Sequence, residues 1–283
     1  MVWEAVATLL VGLAKQGKTY LATQLALCLA SGRPFLGLHT RQAHVLYMSW
    51  EITLAGLYRR MENISLDCDL PAPEKLLREG RLHFYAHRRN ESAPRLDLGE
   101  SADWPRLGQL LTDVKPDVVI IDTLRKACPG ISLKDDQEWS RALQNFNAMA
   151  RQTGISIILI DHGHRARTGE TAAAFAMGSQ VKGSELLCIV KLERQRREDE
   201  PDRWGVEIDS WFDDSGAPLW YERPELEDGV RGCGCVPFEA PRRCRPENRA
   251  QRSKWRLGSG CGSPRPPCPR RRSSKRRAAS GRS

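Results

Sequence analysis

Short apolar runs alternate with amphipathic stretches along most of the chain. Continuously apolar runs predict buried strands, whereas apolar positions spaced three or four residues apart predict helices. The predicted strands cover residues 6–11, 44–51, 82–86, 117–122 and 155–162. The predicted helices cover residues 20–30, 54–64, 101–115 and 135–152. This alternation predicts an α/β fold in which helices cover both faces of a mostly parallel sheet.

Three later segments are expected to close the sheet. Residues 186–192, 204–208 and 219–221 alternate apolar and polar positions more strictly than the earlier strands do. Strict alternation is typical of antiparallel strands that have one solvated face. We therefore expect antiparallel strands at the end of the fold.

A glycine-rich sequence joins the first predicted strand to the first predicted helix. Residues 12–19 read GLAKQGKT and fit the phosphate-loop pattern G-x-x-x-x-G-K-[ST]. The two glycines allow successive backbone N–H groups to point at phosphate oxygens, and the helix adds the positive end of its dipole. Lys18 can reach the outer phosphates, and the Thr19 hydroxyl can bind Mg²⁺. ATP and Mg²⁺ are the expected ligands, and the predicted nucleotide-binding residues are Gly12, Lys15, Gln16, Gly17, Lys18, Thr19 and Tyr20.

Polar side chains at the ends of the predicted strands should converge near this loop. In open parallel sheets, ligands bind at the carboxyl ends of the strands. Asp122 ends a run of four β-branched residues, which is the Walker B pattern of an Mg²⁺-binding carboxylate. An acidic residue that merely starts a loop is the alternative. Because a phosphate loop is also present, we predict that Thr19 and Asp122 hold the metal ion.

Two further strand-end residues are catalytic candidates. Glu51 follows the second strand, where a carboxylate could activate the water that attacks the terminal phosphate. The alternative is a glutamate that complements the dipole of the next helix. His162 could hydrogen-bond the terminal phosphate, or it could be a structural histidine, and both interpretations stay open. The predicted catalytic set is Lys18, Glu51 and His162.

The net charge of +9 is unevenly distributed along the 283 residues. Residues 228–283 contain sixteen Lys and Arg against three Asp and Glu, so the tail carries +13 and residues 1–227 carry −4. The tail has almost no aliphatic residues and cannot bury a core. We predict an ATPase domain at residues 1–227 and a basic, disordered tail at 228–283. A nucleic-acid-binding arm and an unselected extension both fit the tail.

Cysteine usage and hydropathy indicate a cytoplasmic protein. Cys28, Cys68, Cys128 and Cys188 are scattered through apolar segments, as expected of reduced thiols. The five cysteines of the tail fit no zinc-binding spacing. No apolar run is long enough to cross a membrane, so we expect no membrane partner.

Taken together, GLAKQGKT, VLYMSWE, PDVVIIDTLRK and IILIDHGHR make the chain resemble the RepA-like AAA-domain ATPases. These belong to the RecA-like branch of P-loop NTPases, alongside DnaB- and KaiC-type proteins, and the resemblance covers about residues 5–223. It implies a RecA-like core, a homo-oligomeric ring that is usually hexameric, hydrolysis of Mg-ATP, and unwinding of DNA. It assigns Lys18 and Thr19 to Walker A, Asp122 to Walker B, Glu51 to the catalytic glutamate and His162 to the sensor position.

The chain departs from the family where a neighbouring subunit should receive an arginine finger. Trp211 stands where that arginine is expected, so the finger comes from Arg194, Arg196 or Arg197 or is absent. The basic loop at residues 163–177 fits either a single-stranded DNA contact in a ring channel or an ordinary solvated surface.

The resemblance favours a replicative helicase of a plasmid, phage or other mobile element. An ATP-dependent oligomeric switch without helicase activity is the alternative. A small-molecule P-loop kinase is disfavoured by Glu51 and by the strand-rich second half.

Overall fold

A computed structural model describes residues 4–86, 95–132, 135–163, 185–195, 203–210, 219–223 and 235–237. Within these segments nine strands form a single sheet in the order β3-β2-β4-β5-β1-β6-β7-β8-β9. The strands are β1 Ala7–Gly12, β2 Val45–Ser49, β3 Leu82–Ala86, β4 Val118–Asp122, β5 Ser156–His162, β6 Cys188–Gln195, β7 Arg203–Ser210, β8 Leu219–Glu222 and β9 Val236–Pro237. All pairs from β3 to β6 are parallel, and those from β6 to β9 are antiparallel. The predicted fold class is therefore confirmed.

Helices follow the strands in the predicted alternation. They are α1 Lys18–Ser31, α2 Leu54–Asp67, α3 Pro73–Arg78, α4 Trp104–Val114, α5 Leu124–Ala127 and α6 Asp136–Thr153. The Thr53 hydroxyl caps α2 by accepting a hydrogen bond from the Gly56 N–H at 3.3 Å. Asp135 caps α6 through the Glu138 N–H at 2.9 Å, and Gly154 ends that helix at φ 74°.

Two apolar layers sandwich the sheet. One contains the buried faces of α1, α2 and α3, and the other contains those of α4, α5 and α6. Successive residues of a strand alternate between the layers, as residues 120 and 121 illustrate: Ile120 lies in the layer of α1, and Ile121 lies in the layer of α6. Because both faces are covered, the central strands are apolar throughout, which is why their sequences read as continuous apolar runs.

Three features differ from the sequence-based expectation. β6 pairs antiparallel with β7, as expected, but it pairs parallel with β1. It is therefore the last strand of the parallel part of the sheet as well as the first of the antiparallel part. α3 lies outside the predicted helices, and Pro73 begins it because proline is well suited to the first turn of a helix. β9 lies inside the segment that composition assigns to the tail, so the sheet extends to Pro237.

Hydrogen bonds from α1 hold the approach to β9. The Gln24 side chain donates to the Cys235 carbonyl at 2.8 Å and accepts from the Cys235 N–H at 2.6 Å.

Among the described residues, no helix combines the length and apolar character needed to cross a membrane.

Candidate active site

The loop between β1 and α1 depends on glycine at two positions for different physical reasons. Gly17 has φ 98°, a left-handed conformation that lets the chain turn into α1. A side chain on Gly12 would place its Cβ 2.8 Å from the Leu192 carbonyl oxygen of β6, so this position requires the absence of a side chain. The Gln16 side chain accepts a hydrogen bond from the Leu13 N–H at 3.0 Å and fixes the outer part of the loop.

Lys18 is only 5% exposed and folds back over its own loop. Its ammonium donates to the Gly12 carbonyl at 2.8 Å and to the Leu13 carbonyl at 2.9 Å. Burial lowers the pKa of Lys18 to about 8, although the carboxylates of Asp161, Asp122 and Glu51 act in the opposite direction. A ligand with strong negative charge would therefore interact favourably with this desolvated cation.

Asp122 is completely buried at the end of β4. Its Oδ2 accepts from the Tyr47 hydroxyl at 2.9 Å, and the carboxylate also hydrogen-bonds the Thr19 side chain. Its Oδ1 is buried and has no hydrogen-bond partner within the part of the chain that the structure describes. Burial raises the pKa of Asp122 above its usual range, against the effect of these hydrogen bonds. A carboxylate oxygen without a partner beside a threonine hydroxyl fits a hard divalent cation such as Mg²⁺.

His162 ends β5 on the other side of the loop and contacts Lys18. Its Nδ1 lies 3.3 Å from the Lys18 Nζ. Because the ammonium can only donate, Nδ1 is the acceptor and the ring proton is assigned to Nε2. Burial and the nearby Lys18 charge lower the pKa of His162, so the ring is neutral at pH 7. The predicted sensor histidine thus contacts the lysine that should bind the phosphates.

Glu51 lies at the rim of the sheet, with its side chain 35% exposed. The Trp50 N–H donates to the Asp122 carbonyl at 2.7 Å, which joins the end of β2 to the end of β4. The Glu51 carboxylate pairs with the Lys126 ammonium at 3.2 Å. Lys126 on α5 is therefore a neighbour of Glu51, the predicted catalytic glutamate. No sequence pattern indicated this role for Lys126.

A cavity of about 450 Å³ opens above the loop. Eight of the ten predicted site residues line it, namely Lys15, Gln16, Gly17, Lys18, Thr19, Tyr20, Glu51 and His162. Gly12 and Asp122 lie outside this lining set, but both are hydrogen-bonded to residues within it. The structure therefore brings the whole predicted set together at one edge of the sheet, although the role of each residue stays a prediction.

Except for Arg194, a candidate arginine finger in the sequence, the remaining wall of the cavity was not predicted. It is formed by Ile52, Arg60, Thr123, Arg194, Trp204 and Arg223. The guanidinium carbons of Arg60 and Arg223 lie 4.1 and 4.7 Å from the centroid of the Tyr20 ring. These contacts join α1, α2 and the end of β8, and no local motif signals such long-range pairs.

Several predicted features fall outside the described residues. They are the basic loop beyond Gly163, Arg196 and Arg197, the segment at 211–214 with Trp211, and most of the tail. Their expected roles stay predictions.

Comparisons with known proteins agree with this geometry. A family model described as an AAA domain matches residues 2–168, which is more than half of the chain. The structure resembles the crystal structure of a KaiC-like protein from the hyperthermophilic archaeon Pyrococcus horikoshii OT3. That resemblance has a TM-score of 0.57 at 16% sequence identity and covers 83% of this chain and 90% of the other. The comparison with curated protein sequences gives no match. The chain therefore belongs to the AAA domain family and has the fold of a RecA-like P-loop ATPase.

Proposed function

We propose that the protein binds Mg-ATP on the loop between β1 and α1 and hydrolyses its terminal phosphate. One observation carries this proposal: Lys18, the Thr19–Asp122 pair, Glu51 and His162 converge at the carboxyl ends of adjacent parallel strands. A cation, a metal-type carboxylate and a candidate base are groups that phosphoryl transfer to water typically uses, and the imidazole adds a hydrogen-bond donor.

Lys18 would bind the outer phosphates of ATP. Its ammonium hydrogen-bonds two carbonyls of the loop and His162. Phosphate oxygens are stronger acceptors than carbonyls because they are charged. ATP would therefore replace these contacts and restore the full charge of the lysine.

Thr19 and Asp122 would hold the magnesium ion that accompanies ATP. When bound, this ion would neutralise phosphate charge as it builds up during transfer. Among the described residues, no group of three or more histidine, cysteine, aspartate or glutamate side chains could hold a metal by itself. A two-residue set fits magnesium in NTPases, where substrate phosphates and water complete the coordination.

Glu51 would accept a proton from the attacking water. The water oxygen forms a bond to the terminal phosphorus, and the bond from that phosphorus to its bridging oxygen breaks to release ADP. The contact with Lys126 at 3.2 Å holds the carboxylate at the rim. His162, with its proton assigned to Nε2, can donate a hydrogen bond to the phosphate that is transferred.

We further propose that the protein works as a homo-oligomeric ring on single-stranded DNA, as a replicative helicase of a plasmid, phage or other mobile element. The support is the likeness to RepA-type sequences. The alternative is an ATP-dependent oligomeric switch without helicase activity. Trp211, in place of the arginine that would reach a neighbouring subunit, favours this alternative.

An ATPase assay tests both levels of the proposal. Hydrolysis should be abolished by Lys18→Ala but unaffected by Lys75→Ala, an exposed lysine on α3. A wild-type protein with no hydrolysis, or a Lys18→Ala protein with full activity, would contradict the catalytic proposal. A several-fold acceleration by single-stranded DNA supports the helicase. ATP-driven assembly, measured as mass in solution without such acceleration, supports the switch.

A further inference from the structure

Arg194, near the end of β6, lies on the same face of the sheet as the nucleotide cavity. Val190 and Leu192 pack in the apolar layer that contains α1, and alternation places Arg194 on that face as well. Leu192 pairs with Gly12 in the sheet. Arg194 therefore lies two residues, or about 7 Å, beyond the first glycine of the phosphate loop. At that level its side chain lines the cavity.

The ring of Trp204 supports the guanidinium of Arg194. The two residues are direct cross-strand partners of β6 and β7, and the Arg194 guanidinium carbon lies 5.4 Å from the ring centroid. Trp204 is 4% exposed and stacks on Tyr221 at 5.6 Å with an interplanar angle of 8°. Among the described residues its indole N–H has no hydrogen-bond partner, and the ring contacts the arginine through its π-system.

The sheet order places Arg194 and His162 on opposite sides of the phosphate loop. β5 and β6 both pair with β1, and Gly12 is level with His162 on one side and with Leu192 on the other. A phosphate chain bound between them would contact Lys18 beneath, the neutral His162 on one flank and a permanent cation on the other. A guanidinium is a planar cation that can bind two phosphate oxygens at once.

We propose that Arg194 binds the phosphates of the nucleotide held by its own chain and stabilises the charge of hydrolysis there, with Trp204 as its positioning residue. This inference rests on the proposed ATP hydrolysis. It makes hydrolysis independent of an arginine from a neighbouring subunit, which is consistent with Trp211 at the position where the family resemblance expects that arginine.

The first test is the effect of Arg194→Ala on steady-state hydrolysis. Removing one charged donor from a transition state typically lowers kcat about 100-fold. We expect that fall in kcat with less than a tenfold change in the ATP dissociation constant. Arg141→Ala, an exposed arginine on α6 at the other face of the sheet, is the matched control and should keep wild-type kinetics. A wild-type kcat in a folded Arg194→Ala protein would overturn the proposal.

The second test separates positioning by Trp204 from its role in packing. Trp204→Phe keeps an aromatic ring under the guanidinium, whereas Trp204→Ala removes it. We expect Trp204→Phe to stay within a few-fold of the wild-type kcat and Trp204→Ala to approach Arg194→Ala. Thermal melting establishes that both variants are folded. If a folded Trp204→Ala protein hydrolyses ATP like the wild type, the ring does not position Arg194.

The third test decides whether Arg194 acts on its own chain or on a neighbour. Lys18→Ala subunits, which keep Arg194, are mixed with Arg194→Ala subunits, which keep the phosphate loop. Action within one chain predicts no activity beyond the sum of the two proteins. Recovery of activity in the mixture would overturn the assignment to the same chain. Absence of hydrolysis by the wild type itself would instead overturn the proposed function, and this inference with it.

Discussion

Replacing Gly12 by alanine adds one methyl group at the most crowded point of the phosphate loop. The new Cβ would meet the Leu192 carbonyl oxygen at 2.8 Å and the Leu192 Cβ at 3.3 Å. Gly12 does not have a positive φ, so the backbone conformation itself tolerates alanine and the penalty is steric. The obstacle is the backbone of a paired strand, so a rotamer change cannot relieve the contact. Either β6 must move away from β1 or the loop must lift.

Overpacking of this kind destabilises a folded protein by about 1–3 kcal/mol. For a domain of this size, about 1 kcal/mol corresponds to a shift in Tm of roughly 2–4 °C. We therefore expect Gly12→Ala to lower the Tm by at least about 2 °C and to weaken ATP binding, because the loop that binds the phosphates is displaced.

Gly108→Ala is the matched control for this substitution. Gly108 lies within α4, and a Cβ there would meet no atom of the described segments within 4 Å. Alanine is better than glycine inside a helix by about 0.5–1 kcal/mol, so the same chemical change should raise the Tm. Differential scanning calorimetry with and without Mg-ATP measures both effects. Equal Tm values for Gly12→Ala and wild type, with unchanged ATP binding, would refute the proposed close approach of β6 to the loop.

Three further predictions concern charge and the end of the sheet. Because the pKa of Asp122 is raised, the folded protein keeps a proton on this carboxyl that the unfolded chain releases at about pH 4. The free energy of unfolding should therefore fall as the pH rises from about 4 to the pKa of Asp122 in the folded protein. Asp122→Asn should remove this pH-dependent loss of stability, raise the Tm at pH 7 and abolish hydrolysis. If the pH dependence of the free energy of unfolding, measured in urea, is the same in the variant and the wild type, Asp122 is not the group responsible. Because burial lowers the pKa of Lys18 to about 8, ATP binding at pH 9 should take up a proton as phosphate charge restores the ammonium. Calorimetry in buffers of different ionisation enthalpy measures this proton uptake. Lys18→Arg should eliminate the uptake, and uptake that persists in that variant would show that another group takes up the proton. Gln24→Ala should remove two hydrogen bonds to the Cys235 backbone and lower the free energy of unfolding by about 0.5–1.5 kcal/mol per bond, whereas an unchanged urea midpoint would show that these bonds do not stabilise the fold.

The phosphate loop and its acidic partners could be predicted because their signals are local. The spacing of Gly12, Gly17 and Lys18 is fixed by the geometry of a strand–loop–helix turn, and Asp122 follows a continuous β-branched run. The carboxyl ends of parallel strands meet at one edge, so the convergence of the site follows from the fold class.

The rest of the cavity wall depends on pairings that lie far apart in the sequence. Trp204 reaches Arg194 only because of the register of β6 and β7, and Tyr47 donates to a carboxylate 75 residues later. Gln24 is separated from Cys235 by 211 residues. The alternation of β6 was a usable signal for Arg194, since three buried residues precede it on the same face. Composition alone could not identify β9, because a two-residue strand is too short to leave a pattern.

Titration calorimetry of ATP in the presence of Mg²⁺ measures whether the loop after β1 binds the nucleotide. We expect one binding site per wild-type chain and loss of that binding in a Lys18→Ala protein that melts as a folded domain. The absence of binding by the wild type, or equal affinity in the two proteins, would show that the loop after β1 does not hold the nucleotide.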